Sequence, residues 1–165
     1  YSAIVCPDGT TKALHKVILK QNVTCLRLTV STADHFFRLG GAEFVTEALN
    51  VAIKFSRNGE GELSYNGKTV KCLGNPSTDY TTDLTVKGVV NEDKFPRKFS
   101  NEYQVWMDFA ILIMGQKGIY IHEGAATLDE NGGPSAGCIH VGHGDAKAFY
   151  DWVTGKTRIL ISYPW

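Results

Sequence analysis

Apolar and polar positions alternate with a period of two over much of the chain. Short alternating runs broken by Gly, Asn and Pro predict strands and turns rather than long helices. Residues 14–19 and 25–30 are two such runs, split by Gln21-Asn22, and read as a hairpin or as two neighbouring strands. Residues 34–39 fit neither period. Phe44, Val45, Ala48 and Leu49 have helical spacing, so a short helix from Ala42 is expected to run into a strand near 51–55. Arg57-Asn58-Gly59 and Asn66-Gly67 are turn signals. They bracket a strand at 62–65, and another at 69–73 completes a small antiparallel meander. Residues 75–83 are polar, carry Pro76 and read as loop. Residues 84–90 predict a strand, and 91–101, charged and holding Pro96, a loop.

The second half is more apolar. Residues 105–114 predict a central strand, Gln116-Lys117-Gly118 a turn, and 119–122 a buried strand. In that strand Ile119 and Ile121 take one face, Tyr120 and His122 the other. A polar, Gly-rich loop follows over 123–134. It includes an acidic stretch, Asp129-Glu130-Asn131-Gly132-Gly133, which could gate a cleft or simply be solvated. Asp145 is expected to cap a helix over 146–153, with Gly155 as the stop, and 158–162 forms the last strand. No repeat or linker interrupts the pattern. The expectation is one mainly β domain over 1–165, with one or two short helices.

Bulk numbers narrow the function more than the fold. The chain has 165 residues, 43% of them apolar and 21% charged, which suits a globular domain and argues against disorder. Basic and acidic residues are equal, 17 each, so no excess charge exists to neutralise a phosphate backbone, and nucleic acid is not an expected partner. The basic stretch 94–98 reads as a solvated loop. The longest apolar run, 109–114, is far short of the roughly 20 residues a membrane helix needs. No signal-peptide pattern is present. The chain opens at Tyr1, so a leader or upstream domain can lie outside this sequence.

Cysteines are Cys6, Cys25, Cys72 and Cys138. They form no CxxC and no Cys/His zinc spacing, so no structural metal and no cofactor are expected. If Cys138 is a reduced nucleophile, three remain. Cys6 and Cys25 could pair, or all three could be small buried hydrophobes. Asn22-Val23-Thr24 fits the glycosylation triplet, which carries meaning only in a eukaryotic secretory pathway.

The candidate chemistry lies between Tyr120 and His143. A histidine, His122, ends a buried strand, and sixteen residues later Cys138 follows a glycine, Gly137. The glycine permits a sharp turn and leaves nearby amides open to an incoming carbonyl. A thiol is a weak nucleophile until a base shifts it toward thiolate, and a nearby histidine does this. Spacing alone is weak grounds, because most Cys–His pairs carry no chemistry.

The pattern His122-x12-Ser135-x-Gly137-Cys138 resembles the signature of the L,D-transpeptidase catalytic domain. In that family a histidine precedes a Ser/Thr-His-Gly-Cys element by about this distance. The strand Tyr120-Ile121-His122-Glu123-Gly124 and a closing Gly-x-x-Arg-Ile-Leu-Ile strand over 155–161 look similar too. The resemblance covers about residues 50–165; the segment 1–49 has no counterpart and is expected to pack on this core. It implies a β-sandwich or barrel-like fold and a substrate, the peptidoglycan stem peptide.

By the same resemblance Cys138 attacks the carbonyl that follows the L-centre of a diamino acid, forming a thioester. His122 acts as base and then as acid toward the leaving D-alanine. The Glu123 carbonyl orients the histidine, Ser135 supports the loop, and Gly137 and Cys138 supply oxyanion amides. Tyr120 and Ala136 line the substrate site. An amine or water resolves the thioester, giving transpeptidase or L,D-carboxypeptidase action. A periplasmic, secreted or cell-wall location is implied, and, for a toxin-like relative acting on a rival's wall, an immunity protein as partner.

Two positions depart from the family. Ala136 stands where the family has histidine. His140 stands where it commonly has Arg or Asn and, at strand spacing, shares the cysteine's face. Tyr120 and Trp106 read as core rather than substrate platform, and Asp108 as either a buried pair partner or a cleft residue. His143 reads as a loop histidine. The competing classes are a wall- or carbohydrate-binding β domain with a silent cysteine, and another type of cysteine hydrolase. The second fits poorly, because such enzymes place the cysteine upstream of the histidine and at a helix start.

Overall fold

A computed structural model describes residues 2–5, 11–14 and 49–165. The chain divides into two compact units, Tyr1–Glu47 and Ala48–Trp165. In the first, strands β1 (Ser2–Val5) and β2 (Thr11–Leu14) pair antiparallel, with Ser2 opposite Leu14. The expected elements at 14–19, 25–30 and 34–39, the helix from Ala42, Cys6, Cys25 and the Asn22 triplet lie outside the described residues, apart from Leu14 at the end of β2.

The second unit is a curled nine-stranded sheet. Its strands are β3 (Leu49–Phe55), β4 (Glu60–Tyr65), β5 (Lys68–Leu73), β6 (Asp83–Val86), β7 (Lys94–Ser100), β8 (Val105–Met114), β9 (Ile119–Glu123), β10 (Ile139–Val141) and β11 (Thr157–Ser162). They lie in the order β6-β11-β3-β4-β5-β10-β9-β8-β7. The meander β3–β5 forms as its turn signals predict, with Asn66 and Gly67 at positive φ in the β4–β5 turn. The two parallel pairings, β11 on β3 and β10 on β9, follow from the long connections that precede β10 and β11.

One face of the sheet packs under helix α2 (Asp145–Trp152). There Val51, Ile53, Leu63, Cys72, Ile111, Ile121, Ile139 and Ile159 meet Phe149 and Ala146, all buried. Each fully buried aliphatic side chain is worth about 1.5–3 kcal/mol, so this layer carries most of the stability. Leu73 and Ala110 are fully buried as well but stand outside that cluster. They belong to the opposite face, which holds the site.

Four local expectations need correction. Residues 91–101 are not a loop: β7 pairs along β8 at the sheet edge, where Pro96 is tolerated because the ladder skips from Phe95↔Ala110 to Arg97↔Asp108. Across from Pro96, Phe109 takes φ 53, a left-handed conformation that costs a non-glycine residue about 1–2 kcal/mol. The strand expected at 84–90 stops at Val86, because Lys87, Gly88 and Val89 turn their amides onto the Asp93 carboxylate. Asp145 is the first residue of α2 rather than its cap; Gly144 at φ 81 takes the cap position and Asp145 pairs with Lys68 at 3.4 Å. Trp106 is not core. It is 55% exposed, its ring tilted at 59° to that of Phe99 with Arg97 over it. The 123–134 loop also holds one helical turn, α1 (Leu128–Asn131), capped by the Thr127 hydroxyl.

Candidate active site

β9 and β10 run parallel in a register that sets Ile139 beside Ile121, His140 beside His122 and Val141 beside Glu123. Alternation then puts Ile121 and Ile139 into the core, and Tyr120, His122 and His140 on the outer face with Cys138 just before β10. The Tyr120 amide lies 3.4 Å from Cys138 Sγ. The rings of His122 and His140 stand 4.8 Å apart at 60°. The structure therefore brings together four residues that are separated by up to twenty positions in sequence.

His122 is buried and its Nδ1 lies 2.8 Å from the Glu123 carbonyl. A carbonyl only accepts, so Nδ1 carries the proton and Nε2 is left as the free base nitrogen. Burial, helped by the neighbouring His140, pushes His122 down to about 4 despite the Glu123 carbonyl and the Asp108 charge, which favour its protonated form. Burial also pushes His140 down, opposed by the Ala125 carbonyl. Its Nδ1 is buried without a hydrogen-bond partner. Gly124 lies flat against this ring; a Cβ there would meet His140 Cγ at 2.9 Å.

The Cys138 thiol is half-buried. Burial pushes it up, with Glu102 adding to the rise, while the Tyr120 amide pulls it down. Burial disfavours both charges of a thiolate–imidazolium pair. The resting pair is a neutral thiol and a neutral imidazole.

The turn that presents Cys138 is held from below. Ser135 is buried; its hydroxyl donates to the Cys138 carbonyl at 2.5 Å and accepts from the Gly137 amide at 3.2 Å. Gly137 sits at φ 141, where a side chain would be strained. Tyr80 donates to the Gly137 carbonyl at 2.8 Å and accepts from the Asn75 amide at 2.9 Å. Asn75 Nδ2 donates to the Ser135 carbonyl at 2.5 Å. From above, the Tyr103 hydroxyl reaches the Ala136 carbonyl at 3.5 Å. Ala136 itself is exposed.

The sequence profile of the YkuD family, the L,D-transpeptidase catalytic domain, matches residues 54–161. The chain belongs to this family. Among solved structures, an L,D-transpeptidase from Stackebrandtia nassauensis superposes with a TM-score of 0.53 at 15% identity, covering 70% of this chain and 56% of that one. An L,D-transpeptidase from Mycobacterium smegmatis gives 0.52 at 17% identity, covering 69% and 58%. The chain thus spans little more than half the length of these relatives, and the likeness at such identities is one of fold. No curated protein sequence matches the chain.

Within this L,D-transpeptidase-type domain, sequence reasoning missed Asn75, Tyr80, Tyr103 and Gly124. Tyr80 carried a signal: a large aromatic residue inside a polar stretch, 3% exposed here and stacked on Phe55. His143 lies in the loop before α2, exposed, with its Nδ1 3.2 Å from Glu123 Oε1. Asp108 resolves as an ion pair, 3.1 Å from Arg97. Cys72 is free, fully buried and pushed up to about 12, largely by burial. Among the described residues no group of three or more His, Cys, Asp or Glu side chains is placed to hold a metal, and no helix is long and apolar enough to cross a membrane.

Proposed function

We propose that the protein is a cysteine acyl-transfer enzyme on peptidoglycan stem peptides, with Cys138 as nucleophile and His122 as base. The observation that carries this reading is the β9–β10 register, which sets an imidazole with a fixed Nδ1–H tautomer on the same face as the half-buried thiol. Because both groups rest neutral, the proton moves from Sγ to His122 Nε2 as sulfur attacks the carbonyl. The new C–S bond forms as the bond to the leaving D-alanine amine breaks, and that amine takes the proton from His122. A second amine or water then attacks the thioester and regenerates the thiol.

The Gly137 amide is engaged by Ser135 Oγ, so we assign the developing oxyanion to the Cys138 amide. Ser135 acts as a positioning residue through its bonds within the turn. His140 is assigned as the second imidazole of the site, doing from β10 what Ala136 cannot. Tyr120 flanks the substrate through its ring and Glu123 through its backbone. The whole reading rests on residues 50–165.

Incubation with muropeptides bearing tetrapeptide stems, read by mass spectrometry, tests this. Loss of the terminal D-alanine marks hydrolysis; an exchanged residue or a dimer marks transfer; both vanish in Cys138→Ala. An unchanged wild-type reaction contradicts the proposal. Own-wall and rival-wall roles separate in cells. A toxin directed to the periplasm of a susceptible bacterium arrests its growth, and co-expressed immunity protein relieves it.

A further inference from the structure

The carbonyl of Gly137 and the N–H of Cys138 belong to one peptide unit. That unit is planar and trans, so the two groups point in opposite directions. The carbonyl is directed at Tyr80, whose hydroxyl donates to it at 2.8 Å. The Cys138 N–H is thereby turned the other way, out from the loop that supports the turn. It lies ahead of the β9–β10 ladder, which starts at Ile139↔Ile121, and so is not spent on strand pairing.

The same hydroxyl accepts from the Asn75 N–H at 2.9 Å. Asn75 N–H, Tyr80 O–H, Gly137 C=O and Cys138 N–H therefore form one directed chain. Each link polarises the next, by roughly 10–30% per bond. A carbonyl that accepts a proton donor shifts its amide toward the charge-separated resonance form, which leaves the N–H at the far end more positive. Burial pushes the Tyr80 phenol up, against the lowering influence of the Asn75 amide, so it keeps its proton at neutral pH and remains a donor.

The phenol is fixed from several sides. Phe55 stacks on its ring at 5.3 Å and Tyr163 meets it edge-on at 5.9 Å. Tyr163 donates to the Tyr80 carbonyl at 3.0 Å, and the Trp165 indole N–H to the Thr78 carbonyl at 2.9 Å. Gly74 leaves room for the hydroxyl, since a Cβ there would stand 2.9 Å from it, and the Gly74 carbonyl accepts from the Ser135 amide at 3.1 Å. The segment 74–80 and the turn 135–138 are thus docked as one piece, with the hydroxyl buried between them.

We propose that Tyr80 is a positioning residue of the oxyanion site: its hydroxyl aims the Cys138 N–H and strengthens it as a donor to the reacting carbonyl. This deepens the function proposed above and rests on it for the role of the Cys138 amide. Tyr80 touches no substrate and acts only through the shared peptide unit.

Two probe reactions on the full chain separate this role from plain support of the turn. The ester p-nitrophenyl acetate acylates Cys138 through a tetrahedral oxyanion: the C–S bond forms, p-nitrophenolate leaves, and the thiol proton passes to His122. Iodoacetamide alkylates the same sulfur by displacing iodide, and no oxyanion forms. Both rates are measured for wild type, for Tyr80→Phe and for a protein with 3-fluorotyrosine at position 80, with the Cys138→Ala rate subtracted as background. A turn that is merely looser slows both reactions alike. Tyr80→Phe is expected to lower the ratio of acylation to alkylation by about ten-fold, part of what the loss of a whole oxyanion donor costs. The fluorinated ring, a stronger donor of nearly the same shape, is expected to raise the ratio about two-fold. A ratio unchanged in Tyr80→Phe, or one that the fluorinated ring fails to raise, overturns the proposal. A wild type that is acylated by the ester yet leaves peptide stems untouched contradicts the function on peptidoglycan alone, and the ratio still decides the role of Tyr80.

Discussion

Cys72, on β5, and Cys138, just before the neighbouring β10, differ in nearly everything that decides a thiol's chemistry. Cys72 points into the layer under α2, is fully buried, and has no base beside it; burial with the Glu62 charge lifts it to about 12. Cys138 points to the outer face, is half-buried, receives the Tyr120 amide and shares its face with two imidazoles. The pleat puts successive residues on opposite sides, so a shift of one position would exchange the two environments. Reactivity here belongs to the face, and the sequence motif works by fixing which face the cysteine takes.

The contrast breaks most sharply by substitution. Cys138→Ala is expected to remove stem processing by at least about 10³-fold, with little change in unfolding. Cys72→Ser is expected to leave the rate intact and lower stability by about 1–3 kcal/mol through a hydroxyl placed in the apolar layer. Steady-state rates and urea unfolding of both variants check the pair, and the reverse pattern would assign the nucleophile to the wrong face.

His122→Asn comes next, with an expected loss of about 10²–10⁴-fold in kcat. The same residue gives a stability signature. Its folded value of about 4 lies below the 6.5 of the unfolded chain, so between these values the unfolded chain binds more protons. Stability is full above pH 6.5 and falls as pH drops toward 4, by about 3 kcal/mol from this residue. Urea midpoints measured from pH 7 to 4.5 should show that fall in wild type and a shallower one in His122→Asn.

Smaller effects sharpen the outer face. Gly124→Ala puts a Cβ 2.9 Å from the His140 ring. It is expected to displace that imidazole and lower kcat several-fold, with the displacement visible in histidine NMR resonances. Tyr80→Phe removes the bond to the Gly137 carbonyl, costing about 1 kcal/mol of stability and loosening the cysteine turn. Denaturant unfolding and kcat together measure it.

Much of this was legible in the sequence where local rules act alone. Turn signals and apolar runs located β3–β5, β8, β9 and β11, and Asp145 and Gly155 bracketed α2, Asp145 being its first residue rather than its cap. The outer face of His122 followed from alternation in 119–122, and the shared face of Cys138 and His140 from strand spacing. What stayed hidden depends on partners distant in sequence. Pro96 and its charged neighbours read as loop because edge position, which excuses a missing N–H, is a property of the sheet. Tyr80 and Asn75 lie in a polar stretch whose purpose appears only when Ser135–Gly137 folds onto it. The resting charge of the Cys138 thiol depends on burial, which no spacing encodes.

The most direct measurement is intact-protein mass spectrometry of wild type, His122→Asn and Cys138→Ala quenched early in reaction with a tetrapeptide stem. The expected result is an acyl adduct that peptide mapping assigns to Cys138, slower to form in His122→Asn and absent from Cys138→Ala. An adduct on Cys72, an adduct that persists in Cys138→Ala, or no adduct in a wild-type enzyme that still releases D-alanine would contradict the assignment of Cys138 as the nucleophile.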